Sequence, residues 1–204
     1  QKVSEKILIV GKNSKIAKEF CTKVQDSKIF KPSKFEWDMK KVDFNIQQIK
    51  KIRSANKILL LQSVISSKPF LKRKQRDILQ QVSINLLSII KICEIALQSN
   101  RSVKIIILGS ESGIKGSHDI IYGLAKTSIH KYVEERKIKF KNQQLICVSP
   151  STIIDTNMTK KRKDKINVIK SIKTNPKKRG LISSEIADLI YNIFYHTTDY
   201  LTNT

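Results

Sequence analysis

Cysteine, glycine, proline and aromatic residues are all scarce in this chain of 204 residues. The three cysteines, Cys21, Cys93 and Cys147, are an odd set without metal-ligand spacing, so we predict neither a disulfide framework nor a metal site. Six glycines and four prolines are too few for a linker-rich or disordered protein. Aromatic residues make up only 6% of the chain and do not alternate with basic ones, which argues against a surface that stacks nucleic-acid bases.

Acidic residues are also scarce, since 17 carboxylates against 40 lysines and arginines leave a formal charge of +23. Such a charge is typical of proteins that bind nucleic acids. The lysines are scattered along the whole chain among many isoleucines and asparagines, which an A/T-biased coding sequence would also produce. We therefore do not expect a nucleic-acid partner, and steep salt dependence of binding to generic DNA or RNA would contradict this expectation.

No apolar run approaches the roughly 20 residues that a membrane span needs. The start QKVSEKILIV turns directly into a strand pattern instead of a signal peptide. We expect a cytoplasmic protein without a membrane partner. Its length suits a single domain over residues 1–204, and its 40% of hydrophobic residues suffice for a substantial core.

Short apolar segments alternate with segments of helical periodicity along the chain. The predicted strands are 6–11, 27–30, 34–37, 57–63, 103–110 and 144–149. The predicted helices are 14–25, 43–53, 71–98, 120–136, 164–173 and 184–196. Strands that are apolar on both faces and alternate with helices predict an α/β protein with a doubly wound parallel sheet, in a three-layer α/β/α, Rossmann-like arrangement.

The first predicted strand and helix are joined by the turn VGKNSKIAKEF, where a dinucleotide-binding fold places the pyrophosphate of its cofactor. Small residues in such a turn let backbone amides approach the phosphates, and the helix N-terminus adds a favourable field. Gly11 is present, but the two later glycine positions hold Lys15 and Ala17. Taken alone, the turn fits a phosphate site and an ordinary β-α turn equally well.

Tyr122 and Lys126 stand four residues apart in the segment YGLAK and share one face of a predicted helix. A free tyrosine has a pKa of roughly 10, and a neighbouring ammonium group lowers it, so the pair can act as an acid-base device. Ser110 lies at the end of a buried strand, where ligands bind in open α/β sheets. Asn85 is a further polar residue inside the long apolar helix. Each of these residues, taken singly, also suits an ordinary helix or turn position.

Seven segments together resemble the short-chain dehydrogenase/reductase family in their order and spacing, over nearly the whole chain. They are GKNSKIA (11–17), LLLQSV (59–64), SINLL (83–87), LGSESG (108–113), YGLAK (122–126), VSPSTIIDTNM (148–158) and ISSEIADLIYNIFY (182–195). In that order they are similar to the family's glycine-rich turn, NNAG-type segment, structural asparagine, serine segment, YxxxK motif, PG-x-x-x-T-x-M segment and penultimate helix. The resemblance implies NAD(P)-dependent interconversion of a ketone and a secondary alcohol.

The resemblance also implies a role for each matched residue. Tyr122 would exchange a proton with the substrate, Lys126 would hold the cofactor ribose and lower the tyrosine pKa, and Asn85 would support a proton-relay water. The remaining residues implied to contact the cofactor are Gly11, Asn13, Ser14, Lys15, Ile16, Lys31, Asp38, Gln62, Ser63, Pro150 and Thr156. The residues implied to contact the substrate are Ser110, Ser112, His118 and Tyr122.

Departures from the family pattern concern cofactor binding and leave the acid-base residues intact. Lys15 and Ala17 crowd the phosphate turn, although a lysine there could also meet a phosphate, and Ser151 replaces a glycine. Members of the family that bind NAD usually carry a carboxylate at the end of the second strand. Here the segment IFKPSK has Lys31 and Lys34 instead, so we predict NADP in preference to NAD.

The loop 156–180 would cover the substrate, and its many cations favour an anionic small molecule such as a nucleotide-linked sugar or a carrier-bound acyl group. A solvated basic loop explains the same cations. The resemblance further implies a homodimer or homotetramer. An alternative function is a binding or regulatory protein that keeps the fold without turnover, which the altered turn supports and the intact Ser110, Tyr122 and Lys126 oppose.

Overall fold

Five short apolar strands form one parallel sheet at the centre of the protein. In the computed structural model, which describes residues 4–24, 27–162 and 164–204, their order is β2-β1-β3-β4-β5. The strands are β1 (Lys6–Val10), β2 (Lys28–Phe30), β3 (Lys57–Leu60), β4 (Lys104–Leu108) and β5 (Gln144–Val148). The direction in which strands are added reverses after β2, so the crevice between β1 and β3 is a topological switch point.

Helices cover both faces of this sheet. They are α1 (Lys15–Cys21), α2 (Ile46–Ser54), α3 (Gln75–Val82), α4 (Ser88–Ser99), α5 (Ser112–Lys115), α6 (Ile120–Glu135), α7 (Asn157–Lys160), α8 (Lys165–Thr174) and α9 (Ser183–Tyr195). One π-helical turn, Ser83–Leu87, joins α3 to α4. The predicted fold class, a doubly wound parallel sheet in three layers, is confirmed.

Alternate residues of each strand point to opposite faces of the sheet and build two separate cores. On one face, Leu8, Ile58 and Ile105 pack in a buried cluster with α2, α4 and α6. On the other face, Ile9 and Ile106 pack with α1 and α9. Burial on both faces explains why the strands are apolar at nearly every position, since each buried side chain of this kind stabilises the fold by about 1.5–3 kcal/mol.

The continuous helix from Gln75 to Ser99 is, contrary to the expectation from the sequence, long and apolar enough to cross a membrane by length and composition. Core helices of soluble proteins pass the same test, so this is weak evidence for a span. Ile89, Ile92 and Cys93 of this helix are fully buried in the core beside the sheet. These residues place one face of the helix in the core.

The segment KFEW (34–37), which we predicted as a strand, is instead a turn. The Ser33 amide donates to Oε2 of Glu36 at 2.7 Å, and the Glu36 amide donates to Oγ of Ser33 at 3.3 Å. These local hydrogen bonds satisfy backbone groups that would otherwise need a neighbouring strand. The apolar character of the segment comes from Trp37, which packs edge-on against Phe30.

The other predicted strands and helices are present with shifted ends. The predicted helix 14–25 is shorter as α1, and Gln25 lies outside the described residues. Beyond α9 the chain runs beside β5, where the Asn203 amide donates to the Leu145 carbonyl at 2.8 Å. This last segment forms no regular strand within the described residues, although it hydrogen-bonds to the edge of the sheet.

Candidate active site

A cavity of about 600 Å³ opens at the carboxyl ends of the strands, at the switch point between β1 and β3. Its size is typical of a pocket for a cofactor or substrate. The predicted site residues that line it are Gly11, Asn13, Ser14, Lys15, Ile16, Asp38, Gln62, Ser63, Ser110, Ser112, Tyr122, Lys126, Pro150 and Thr156. Three other predicted residues, Lys31, Asn85 and His118, lie outside the lining. The fold therefore brings most of the predicted set to one cavity.

The turn between β1 and α1 has a conformation that requires its glycine. Gly11 has φ of +97°, and a Cβ atom there would lie 2.9 Å from the backbone carbon of Leu61. The Ser14 amide closes the turn by donating to the Gly11 carbonyl at 2.9 Å. The Ser14 hydroxyl makes no capping hydrogen bond, so the first amides of α1 keep donors for a ligand.

Lys15 in this turn is already paired with a carboxylate. Its Nζ lies 2.6 Å from Oδ2 of Asp155, in the segment after β5. Oδ1 of Asp155 accepts from the amide and hydroxyl of Ser183, at 2.9 and 2.7 Å. The prediction that Lys15 meets a cofactor phosphate therefore requires that a phosphate compete with Asp155.

The Gln62 carboxamide, directly after β3, is buried against the cavity without a hydrogen-bond partner for either Oε1 or Nε2 among the described residues. A buried amide without partners costs about 1–3 kcal/mol, and protein interiors rarely leave one unsatisfied. A polar ligand in the cavity would supply the missing partners. Gln62 is thus the side chain that most directly indicates an occupant.

Asn85 is fully buried in the π-helical turn. Its side chain hydrogen-bonds to backbone atoms and does not line the cavity. Its Oδ1 accepts from the Val64 amide at 2.8 Å, and its Nδ2 donates to the Val64 carbonyl at 2.7 Å. The Ser63 hydroxyl lies 3.4 Å from the same Oδ1. In this geometry Asn85 positions the segment after β3, and its role in supporting a relay water stays a prediction.

Ser110, Tyr122 and Lys126 meet on one wall of the cavity. Ser110 follows β4, and its Oγ accepts from the Ser112 amide at 3.1 Å. The Lys126 Nζ donates to the carbonyl of Leu108 at 2.8 Å and lies 5.6 Å from the centre of the Tyr122 ring. All three come from elements whose ends meet at this edge of the sheet, as the sequence predicted.

Burial has the largest effect on the pKa of both Tyr122 and Lys126, the two residues on α6. It raises the pKa of Tyr122, and hydrogen bonds with the hydroxyls of Ser110 and Ser63, together with the charge of Arg162, oppose that rise only in part. Burial also lowers the pKa of Lys126 to about 8. The Lys126 ammonium group donates to the Leu108 carbonyl, and its lowering of the Tyr122 pKa stays a prediction.

The cations near the end of β2 differ from the predicted set. Lys34 lines the cavity with Asp38, whereas Lys31 does not. Lys12 and Lys40 also line it, and both were missed in the sequence. Lys12 follows the turn glycine directly and could have been found from that position.

A buried ion pair that the sequence analysis missed anchors the helix of Tyr122. Asp119 precedes α6, and its Oδ1 accepts from the amides of Ile121 and Tyr122 at 3.2 and 3.4 Å. The same oxygen accepts from Nη1 of Arg73 at 2.9 Å. An aspartate before a helix is a recognisable cap signal, but its partner 46 residues away is not visible in a local pattern.

His118, predicted to contact substrate, instead contacts the loop that covers the cavity. Its Nδ1 lies 3.1 Å from Oδ2 of Asp164 and 3.5 Å from Nη2 of Arg162. Arg162 itself lines the cavity, and the sequence analysis did not single it out from the other cations of its loop. Arg162 is thus one of the residues of this loop that line the cavity, together with Thr156, Asn157, Met158 and Thr159.

No family profile and no curated protein matches the sequence. A short-chain dehydrogenase family protein from Francisella tularensis subsp. tularensis SCHU S4 is 17% identical, with a TM-score of 0.78, over 98% of this chain and 95% of that chain. BdcA in complex with NADPH is 14% identical, with a TM-score of 0.80, over 98% and 90%.

A 3-oxoacyl-(acyl-carrier-protein) reductase from Agrobacterium tumefaciens C58 with NADP bound is 13% identical, with a TM-score of 0.79, over 98% of this chain and 90% of that chain. Such similarity over whole chains shows the fold. The fold of this chain is that of the short-chain dehydrogenases/reductases. What the site does must be argued from its own residues.

Proposed function

We propose that this protein is an NAD(P)-dependent oxidoreductase of the short-chain dehydrogenase/reductase family that interconverts a ketone and a secondary alcohol. The observation that carries the proposal is the meeting of Ser110, Tyr122 and Lys126 in one cavity at the switch point of a parallel sheet. A hydroxyl donor, a titratable phenol and a buried ammonium group are thereby placed where ligands of open α/β sheets bind. The test is NADPH- or NADH-dependent reduction of a panel of ketones by the wild-type protein and its Tyr122→Phe variant.

The residues of the cavity fit a nicotinamide dinucleotide. The amides of the turn 11–16 suit phosphates, and the unpartnered Gln62 carboxamide suits a polar ribose or amide group. Two similar structures contain NADPH or NADP, which supports the same ligand here. When bound, the nicotinamide supplies or accepts the hydride. We propose that Thr156 and Lys126 hold the end of the cofactor nearest the substrate.

The protein's own step is a proton transfer at the substrate oxygen. In reduction, the Tyr122 hydroxyl donates its proton to the carbonyl oxygen, while the Ser110 hydroxyl donates a hydrogen bond to the same oxygen. The raised pKa of Tyr122 keeps the phenol protonated at neutral pH, which suits this direction. In oxidation the phenol must first lose its proton, so the rate of that direction should rise with pH.

The lowered pKa of Lys126 predicts how cofactor affinity depends on pH. Because burial lowers this pKa from 10.5 to about 8, the ammonium is charged below pH 8 and neutral above it. If Lys126 holds the cofactor, loss of its charge should weaken NADPH binding by about tenfold, the usual effect of losing a charge-assisted hydrogen bond. We expect the dissociation constant measured by fluorescence titration to rise between pH 7 and pH 9. The Lys126→Met variant should bind NADPH weakly, with a dissociation constant that does not change between pH 7 and pH 9. A rise in its dissociation constant parallel to that of the wild-type protein would contradict the assignment.

A preference for NADP is supported by the cations around the end of β2. Lys12, Lys34 and Lys40 line this end of the cavity, and their charges suit the 2′-phosphate that distinguishes NADP from NAD. Asp38 is also in the lining, and its Oδ1 accepts from the Lys40 amide at 3.1 Å. We propose that Asp38 meets the adenine side and leaves Lys34 to the phosphate.

Replacing Lys34 with alanine should therefore weaken NADPH binding by about tenfold and leave NADH binding nearly unchanged, since only NADPH carries the extra phosphate. Lys31→Ala is the matched control, because Lys31 lies on the same segment but outside the cavity lining. Titration of both variants with both cofactors measures the effect. Equal losses for NADPH and NADH in Lys34→Ala would remove the argument for a phosphate pocket.

A second function, a non-catalytic binding or regulatory protein, is favoured by the pairing of Lys15 with Asp155. This ion pair connects the phosphate turn to the segment after β5 and neutralises a cation that a phosphate would use. The retained Ser110, Tyr122 and Lys126 oppose this alternative. NADPH binding without turnover of any ketone would favour it.

Two finer features also belong to the proposal. We propose an anionic small-molecule substrate, supported by the cations of the loop 156–180. We further propose a homodimer or homotetramer built on the long helix 75–99 and on α6, supported by the exposed side chains of Leu79 in α3, Leu87 in the π-helical turn and Leu124 in α6. Size-exclusion chromatography with light scattering tests the second feature directly.

A further inference from the structure

One side chain of the cavity wall has hydrogen-bond donors that the proposed proton transfer does not use. Arg162 lies between α7 and α8 and lines the cavity together with Ser110 and Tyr122, and only 19% of its side chain is exposed. Burial raises the pKa of Tyr122, and the charge of Arg162 is one of the effects that oppose the rise. Arg162 therefore lines the same cavity as the group that exchanges the proton.

Asp164 fixes the orientation of this guanidinium group. Nε donates to Oδ1 at 2.9 Å and Nη2 donates to Oδ2 at 2.5 Å. The hydrogen bonds from Arg162 lower the pKa of Asp164 to about 2, so the carboxylate stays charged. Oδ2 also lies 3.1 Å from Nδ1 of His118, which ties the pair to the residue before the Asp119 cap. The side chain of Arg162 is thus held in place from two segments.

A guanidinium group presents two edges, and each can bind a carboxylate through two parallel N–H groups. Asp164 occupies the edge formed by Nε and Nη2. Within the described residues, the other edge has no hydrogen bond from Nη1 and only a long contact of 3.5 Å from Nη2 to His118. A second planar anion therefore has a preformed, oriented edge to bind.

The other cations near this part of the cavity are already engaged. Lys126 donates to the Leu108 carbonyl, and Lys15 is paired with Asp155. Lys12 comes from the turn after β1, and Lys34 and Lys40 come from the segment after β2, at the part of the cavity that we assign to the dinucleotide. Among the cations of the lining in the described residues, Arg162 is thus the one best placed for an anion on the substrate.

We propose that Arg162 binds the carboxylate of a short oxo acid whose keto oxygen lies between Ser110 and Tyr122. The planar edge of Arg162 matches a carboxylate better than a point charge would. Because Arg162 lines the same cavity as Ser110 and Tyr122, one small substrate can contact all three residues. This inference rests on the proposed ketone reduction, and it names the substrate class of that same site.

The test compares oxo acids with their uncharged methyl esters, because each pair differs by one charge. The probes are pyruvate, acetoacetate and levulinate, whose carboxylates lie progressively farther from the ketone, and the three methyl esters. For at least one spacing, the wild-type protein with NADPH should reduce the acid with a kcat/KM about 10- to 100-fold above that of the ester, as a charge-assisted hydrogen bond would give.

Two variants assign the preference to Arg162. Arg162→Met should remove the preference by lowering kcat/KM for the acid to the value for the ester, and it should leave the NADPH dissociation constant unchanged. Arg162→Lys keeps the charge without the planar edge and should retain part of the preference. Circular dichroism and the unchanged NADPH affinity would show that the variants are folded.

Failure of this inference is distinct from failure of the proposed function. Absence of NADPH binding, or absence of NADPH-dependent reduction of every ketone in the panel, would overturn the proposed function. Equal rates for acids and esters in the wild-type protein, or a loss of NADPH affinity in Arg162→Met, would overturn the role of Arg162 alone. If the wild-type protein binds NADPH but reduces none of the probes, absence of a thermal shift of its NADP⁺ complex with all three acids would also overturn it.

Discussion

Replacing Tyr122 with phenylalanine is expected to lower the rate of ketone reduction by about a hundred- to ten-thousand-fold, the usual contribution of a positioned acid-base group. The change removes one hydroxyl and keeps the ring that fills this buried position. Lys126 would still donate to the Leu108 carbonyl, and the turn at Gly11 would be untouched. NADPH affinity should therefore stay nearly the same while turnover is lost.

Tyr132 provides the matched control on the same helix. Its hydroxyl donates to Oε1 of Glu94 at 2.6 Å, away from the cavity. Tyr132→Phe removes the same atom from α6, so it should leave kcat unchanged even if some stability is lost. Steady-state kinetics on both variants decides the matter: wild-type turnover by Tyr122→Phe would exclude the mechanism.

Replacing Arg73 with methionine should lower the free energy of unfolding by about 3–5 kcal/mol, as removal of one partner of a buried ion pair typically does. Only 4% of the Arg73 side chain and none of the Asp119 side chain is exposed. Oδ2 of Asp119 still accepts from Gln81 at 2.6 Å and from the Ser66 amide at 2.7 Å, but its charge would lose its counter-ion. Because Asp119 caps α6, the loss would also loosen the start of the helix that bears Tyr122.

Urea denaturation of three variants measures this effect. Adding Asp119→Asn to Arg73→Met removes the uncompensated charge, but it also turns an NH2 group toward N–H donors, so it should not restore the wild-type stability. Arg76→Met is the exposed control: 76% of that side chain is exposed and it lies 3.7 Å from Asp77, so its replacement should change stability by less than about 0.5 kcal/mol. Equal losses of unfolding free energy in Arg73→Met and Arg76→Met would show that the buried ion pair stabilises the fold no more than an exposed one.

The sheet could be predicted because its strands are buried on both faces. Segments such as 103–110 are apolar at almost every position, and this run is visible without tertiary information. The segment 34–37 was wrongly predicted as a strand because one buried aromatic residue, Trp37, lies in a turn that Ser33 and Glu36 close with local hydrogen bonds. A window of four residues cannot separate these two cases.

The candidate site was predictable where its residues follow strands or share a helix face. Ser110 follows β4, and Tyr122 and Lys126 are one helical turn apart, so the fold alone brings them together. The environment of these residues could not be predicted from the neighbouring sequence. The direction of the shift in the Tyr122 pKa depends on burial. The orientation of Arg162 depends on Asp164 and on the packing of its loop. Both are properties of the folded chain.

The central claim is that the cavity holds a nicotinamide dinucleotide, and the single tryptophan of the chain offers the most direct test. Trp37 lines the cavity on the segment after β2, so its emission should report a bound cofactor. We predict that NADPH quenches Trp37 fluorescence in a saturable way and that NADH binds more weakly. Saturable quenching by both cofactors should persist when the salt concentration is raised. Absence of quenching and of any thermal shift with either cofactor would contradict the claim.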